Sequence, residues 1–349
     1  METRMRARQR TARVALAVCI LLSAVVGAGY ARVGGWAKAR RMPVGRVALS
    51  AVVVDGTIYA LGGMPAPRNR LTAAVAAYDV VRDEWRATAA MIDFRAAFGA
   101  TVLNAKVFVA GGTGSRGAYM PYVEAYDPSN DTWTKRGDLT HPKYGRQGLA
   151  LSVVRGRVYA VGGLPGPRWR GVSAAVESYD PTTDLWTPRA DMPTARTGLV
   201  TGVVNGKIYA IGGGDEDGSI AAVEEYDPAT DQWTKNRDIP TPRSWSAVAV
   251  VNRLIYVIGG AAKDGTSVAV EVYDPARDRW RPVAELPNPR EAAAAVAHEG
   301  NIYLLGGQHA GGVAPILDSV LVYDTGFRGP FPVSPRNSVI TGWSALKAE

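Results

Sequence analysis

Between residues 46 and 324, short apolar runs rich in β-branched and aromatic residues alternate with polar pairs and glycines. In one representative stretch, residues 248–251 are apolar, Asn252-Arg253 interrupts, and residues 254–258 are apolar again. Two such runs joined by a two-residue break predict a β-hairpin. The equivalent breaks elsewhere include Asp55-Gly56 and Asn205-Gly206, dipeptides suited to the tight turns that link antiparallel strands. Residues 268–273 predict a third strand, and the stretch around Trp280 a fourth. These strands are labelled a, b, c and d.

The pattern recurs with a period of 47 to 51 residues, which marks a repeat architecture. Strand b ends in a glycine pair beginning at Gly62, Gly111, Gly162, Gly212, Gly259 and Gly306. Strand c ends in Tyr-Asp at Tyr78, Tyr126, Tyr179, Tyr226, Tyr273 and Tyr323. Trp85, Trp133, Trp186, Trp233 and Trp280 each follow their tyrosine by seven residues. Sixteen residues before each glycine pair stands an arginine: Arg46, Arg95, Arg146, Arg196, Arg243 and Arg290. A three-residue insertion before Arg146 shifts nothing downstream, as expected in a surface loop.

Each constant residue has a physical reading. Glycine at the end of strand b permits unusual φ or close backbone approach. The aspartate after tyrosine is expected to cap the c–d turn, with the proline that often follows presetting φ. The tryptophans, identical in spacing, are expected to pack between repeats. Full burial would make Trp→Ala cost about 3–5 kcal/mol.

This signature, cleanest over residues 186–231, resembles the Kelch repeat, and the resemblance covers residues 36–324. It implies an all-β fold: a six-bladed β-propeller of four-stranded Kelch blades. The sixth copy has Pro330 where its tryptophan should be, while Trp36 stands ten residues before Arg46, the usual offset. The N-terminal segment near Trp36 is therefore expected to supply strand d of the last blade, closing the ring and protecting its edges. Residues 32–324 form the propeller on this reading, and residues 325–349, which lack periodicity, form a C-terminal tail with Trp343 a candidate for docking on it.

Composition adds a location. The net charge of +8 contains five arginines and one glutamate from residues 1–31; removing these from totals of 40 and 32 leaves 35 basic and 31 acidic residues, or +4. That balance, without a dense basic run interleaved with aromatics, gives no case for nucleic acid. Residues 14–26 are apolar apart from Ser23, and small residues stand at Gly29 and Ala31. An arginine-rich start before such a run predicts export, by a cleaved signal peptide or by an N-terminal membrane anchor through residues 14–31. Cys19, the only cysteine, lies inside this run, so no internal disulfide can form.

Strands alternate in direction, so the b–c and d–a loops share one face of the propeller. The b–c loops vary in length and chemistry, which places function there. Arg68, Arg70, Arg168, Trp169 and Arg170 lie in two similar loops of blades one and three, and Arg116 in that of blade two. Clustered arginines suit carboxylate, sulfate or phosphate, and a tryptophan can stack on a sugar. The six repeat arginines are candidates on the same ground, since the resemblance to Kelch adaptor proteins implies acidic-peptide binding at that position. The alternatives are solvated charge for the loop arginines and bonds to neighbouring carbonyls for the repeat arginines. The expected role is an exported, monomeric binding module for an anionic protein, peptide or glycan, without cofactor or metal. The acidic loop Asp215-Glu216-Asp217-Gly218 is too short for an EF-hand and reads as solvated.

An enzyme reading stands beside this one. His141, His298 and His309 are the only histidines, too scattered for the copper chemistry of galactose-oxidase-like relatives. A sugar-acid epimerase or mutarotase of the kind found among exported bacterial Kelch proteins remains. It requires an acid/base residue beside a carboxylate-binding arginine.

Overall fold

A computed structural model describes residues 32–66, 70–141, 145–166, 171–309 and 315–329. The described chain is all-β, and its one helical turn is the 3-10 helix Ser115–Gly117. Six four-stranded antiparallel sheets form the blades of a propeller. No helix among the described residues is long and apolar enough to cross a membrane. Residues 1–31, expected to direct export, and the tail beyond residue 329 lie outside the described residues.

Blade four runs a to d as Val200–Val204, Lys207–Ile211, Val223–Asp227 and Gln232–Asn236. Its a–b turn, Asn205-Gly206, has φ of 51° and 75°, the two positive values a type I′ hairpin requires. In blade five, strand c is Val270–Asp274, two residues later than the apolar run suggests. Residues 268 and 269 instead approach strand b and the incoming loop, as Leu286 donates its N–H to the Val268 carbonyl (2.8 Å) and Gly259 to that of Ala269 (2.9 Å).

The constant residues are the joints between blades. Gly62 and Gly63 have φ of 52° and 90°. A Cβ on Gly62 would stand 2.7 Å from the carbonyl oxygen of Arg95 in the next blade. Gly63 donates its N–H to that same oxygen (2.8 Å). Both expectations for the glycine pair therefore hold, and the close approach is to a neighbouring blade.

The Tyr-Asp and Trp positions make a second joint. Asp227 caps its c–d turn by accepting the N–H of Ala229 (2.8 Å), Asp79, Asp127, Asp180 and Asp274 cap theirs in the same way, and Asp324 accepts the N–H of Gly326 (2.8 Å) where the chain leaves blade six. Four residues on, Asp231 sits at a φ of 56° and accepts from the Tyr226 hydroxyl (2.5 Å) and from the N–H of Ala190 in blade three (3.0 Å). The Trp233 indole donates to the carbonyl of that same Ala190 (2.9 Å). One residue at the end of five blades (Arg40, Ala89, Gly137, Ala190 and Arg237) is thus held at both its N–H and its C=O by the next, while Ala284 of blade five is held at its C=O by Trp36. The tryptophans pack between blades as expected, but only Trp186 is fully buried, at 6 % exposure. The others, on the equivalent outermost strands, keep an edge in solvent.

The ring closes as the sequence predicts. Trp36–Ala39 pairs with Val320–Asp324, with Trp36 opposite Tyr323. Their ring centroids are 5.1 Å apart, the spacing of Tyr126 and Trp133. The Trp36 indole donates to Ala284 of blade five (3.0 Å), and Gly307 of blade six donates to Arg46 of blade one (2.8 Å). The apolar core falls into six clusters, each between neighbouring blades. One joins Val161, Val176 and Met192 to Leu199, Ile208 and Tyr226, for example. Where the sixth copy lacks its second aspartate, Arg328 pairs with Asp324 (2.5 Å), and Phe327 packs against the core of blades five and six.

Candidate functional site: the channel mouth

Two residues after each repeat arginine the chain turns into strand a through a residue with φ between 48° and 62°: Ala48, Ala97, Gly148, Gly198, Trp245 and Ala292. Each donates its N–H to the carbonyl of the one before, from Ala97 to Ala48 (2.9 Å) around to Ala48 to Ala292 (2.9 Å). Six peptide groups therefore form a closed hydrogen-bonded ring around the mouth of the axial channel. The channel has a volume of about 910 Å³, walled by the inner strands and reaching the a–b turns at Gly56 and Glu299. A non-glycine residue in this left-handed region costs about 1–2 kcal/mol, and for a bulky side chain it is an outlier. Trp245 is that outlier.

The residues just before this ring are Val47, Ala96, Gln147, Thr197, Ser244 and Glu291. Each pairs with the segment that follows the glycine pair of its own blade. Gln147, Thr197, Ser244 and Glu291 make the polar part of this rim, while Val47 and Ala96 are apolar and buried. Gln147 accepts from Thr113 and donates to the Tyr119 hydroxyl (3.0 Å). Ser244 and Ser219 share a hydrogen bond (3.1 Å). Glu291 accepts from Gln308 (2.6 Å) and Thr266 (3.3 Å). The acidic loop of blade four folds on itself, Asp215 accepting from the N–H groups of Asp217 (2.9 Å) and Gly218 (3.1 Å).

The structure corrects the reading of the repeat arginines as ligand contacts. Arg46, Arg95, Arg146, Arg196, Arg243 and Arg290 are between 0 and 5 % exposed. Their guanidinium groups bond blade carbonyls, as Arg196 does those of Gly212 (3.0 Å) and Ala222 (2.7 Å). In blades two to five a buried glutamate completes the site, pairing Arg95 with Glu124, Arg146 with Glu177, Arg196 with Glu224 and Arg243 with Glu271. Blades one and six carry Ala76 and Leu321 at that strand position instead. Burial lowers the pKa of all six arginines. It brings Arg146 to about 10 against the opposing pull of Glu177, and Arg290 to about 10 with nothing opposing. These arginines lock strands b and c to the incoming loop and present no guanidinium to the rim.

Of the loop candidates, Arg70 is exposed and Arg116 lies in the 3-10 turn Ser115–Gly117. Arg68, Arg168, Trp169 and Arg170 lie outside the described residues. The histidines do not converge: His141 is exposed, His309 bonds the Pro289 carbonyl (2.6 Å), and His298 lines the far end of the channel, its pKa lowered by burial. No group of three or more potential metal ligands occurs among the described residues. The rim residues and Trp245 escape a reading centred on constant positions. Their signal is a column that does not repeat, between two columns that do.

Comparison with known proteins agrees with this architecture. The family model described as Kelch motif matches residues 45–92, 95–140 and 145–193, and that of the KLHDC2/KLHL20/DRC7 Kelch-repeats domain matches residues 178–307. Beta-scruin of Limulus polyphemus is 28% identical over 156 residues, covering 42% of this chain and 17% of that protein. Kelch-like protein 34 of Homo sapiens is 30% identical over 173 residues, covering 46% and 27%. The chain thus spans about a sixth to a quarter of the length of these two relatives. The solved structure of YjhT superposes with a TM-score of 0.67 over 82% of this chain and 97% of that one, at 20% identity, a likeness of fold.

Proposed function

This chain belongs to the Kelch-repeat family, and from that premise we propose that it is a binding module acting outside the cytoplasm, its ligand entering at the channel mouth on the b–c/d–a face. Kelch propellers serve generally as interaction modules, and one fold hosts many functions, so the reading must rest on the site. One observation carries it. Framework positions repeat from blade to blade, yet this position reads Val47, Ala96, Gln147, Thr197, Ser244 and Glu291: two buried apolar side chains, then four polar ones of different chemistry on blades three to six. Packing alone has no use for that diversity; recognition of an asymmetric ligand does. Location outside the cytoplasm rests on the arginine-led apolar run of residues 14–26.

An anionic ligand now depends on the loop arginines alone: Arg68, Arg70, Arg116, Arg168 and Arg170. The epimerase alternative asks for an acid/base carboxylate beside an arginine. Glu291 is instead held by Gln308 and Thr266, which favours binding over turnover. The test is an array of oligosaccharides and acidic peptides probed with the full-length chain at low and high salt, beside the R68A/R70A/R168A/R170A variant. We expect a hit, salt-sensitive and weakened in the variant where the ligand is acidic. Absence of any hit would remove the binding reading and redirect work to sugar-acid turnover.

A further inference from the structure

We infer that Trp245 is the stacking platform of a carbohydrate site, and that a pyranose ring lies on it at the channel mouth. The inference rests on the binding reading above and names the ligand class of that site. Four observations support it. Trp245 occupies, at a φ of 53°, a position that the other five blades give to alanine or glycine. A bulky residue held in that conformation is strained, and such strain gathers at functional sites.

The surroundings are fitted to the indole. A Cβ on Gly198 would stand 2.9 Å from Cε2 and 3.0 Å from Cδ2 of Trp245, and one on Gly148 3.0 Å from Cη2. The ring therefore lies against the backbone of blades three and four, which carry glycine where blades one, two and six carry alanine. Even so the side chain is only half-buried.

The indole N–H also differs from those of the repeat tryptophans. Trp36, Trp85, Trp133, Trp186, Trp233 and Trp280 each donate theirs to a backbone carbonyl of another blade. Nε1 of Trp245 bonds none of the described residues, which leaves a donor at the edge of the platform.

Finally, the chemistry around the ring matches hydroxyl groups. The Thr197 hydroxyl oxygen would stand 2.4 Å from a Cβ on Gly148, and Cη2 of Trp245 3.0 Å from the same point, so both border that glycine. Gln147 and Ser244 flank Thr197 and Trp245 along the rim. Amide and hydroxyl groups both donate and accept, as sugar hydroxyls do. An aromatic face with uncharged two-way partners fits a ring that is apolar on its C–H face and polar at its edge. A phosphate or acidic peptide would call for basic groups instead, and none is bonded at the described rim.

The test uses full-length protein on the same array, comparing wild type with W245A, W245F and Q147A. Alanine is what three other blades use at this position, so W245A is expected to fold, with an unchanged circular-dichroism spectrum. We expect wild type to bind at least one oligosaccharide, W245A to bind it about tenfold more weakly, and W245F to retain most of the affinity. Saturation-transfer NMR should place the strongest contact on the C–H groups of one sugar face. An oligosaccharide hit undiminished in W245A would overturn the platform and leave the binding module standing. Hits confined to peptides would overturn the ligand class alone. No hit of either kind would overturn the binding reading itself.

Discussion

Asp231 carries three functions in one side chain: it accepts the buried Tyr226 hydroxyl, accepts a neighbouring blade's N–H, and tolerates a φ of 56°. Asp231→Ala leaves both donors without their acceptor, and we expect a loss of about 2–3 kcal/mol in urea denaturation. Asp231→Asn keeps an acceptor and the backbone tolerance, so it should lose less; equal losses would mean the hydrogen bonds matter little. The same chemistry sets the pH response. Hydrogen bonds from Ser129 and Lys106 hold Asp127 down to about 2, from 3.8. Asp131, Asp180 and Asp324 are lowered as well, chiefly by the bonds they accept, and at Asp231 burial, which raises the pKa, is outweighed by the bonds from Tyr226 and Ala190. A carboxyl with a depressed folded pKa adds stability above its unfolded value and loses it as pH falls through the folded one. Burial pushes Tyr303 up to about 12, from 10.0, so its contribution is present below 10 and lost as pH climbs. Melting temperature should therefore fall between about pH 4 and 2 and again above pH 10. A flat profile across the acid limb would contradict the joint described here.

At the scale of the blade, much was legible and one column was not. The Arg, Gly-Gly, Tyr-Asp and Trp positions announce themselves because their spacing is fixed, and the structure gives each a bonding role. The glutamate two residues before each tyrosine is present in blades two to five only, so it reads as ordinary strand variation until the arginine is seen beside it. Blades one and six bury an arginine without that partner. Ala76→Glu should therefore raise the melting temperature near pH 7, by giving Arg46 the carboxylate its counterparts have, and the gain should vanish once the glutamate is protonated. A lower melting temperature at neutral pH would show that blade one has no room for the pair. Among the tryptophans, Trp186→Ala should cost about 3–5 kcal/mol and the solvent-edged Trp280→Ala clearly less. The ring residues were illegible for a different reason. Alanine and tryptophan carry no signal for a left-handed backbone, and only Gly148 and Gly198 could have hinted at one.

For the whole molecule, the last blade depends on a strand from the other end of the chain. The offset of Trp36 made that visible in the sequence, because a displaced repeat keeps its internal spacing. A chain lacking residues 1–45 should melt well below one lacking residues 1–31, since it exposes the edge of Val320–Asp324 and removes the packing of Trp36 on Tyr323. Equal melting temperatures for the two would show that the seam contributes nothing. Loop conformations were beyond reach of the repeat, since variable segments follow no period.

The closed circuit of amides at Ala48, Ala97, Gly148, Gly198, Trp245 and Ala292 fixes an aperture. Each of the six is bonded to both its neighbours, so a blade that swung outward would have to break its links in the circuit. The opening therefore works as a gauge of constant bore. If the proposed ligand enters here, the side chains standing on that collar would select it, and a guest too wide for the bore would rest on the entrance without passing.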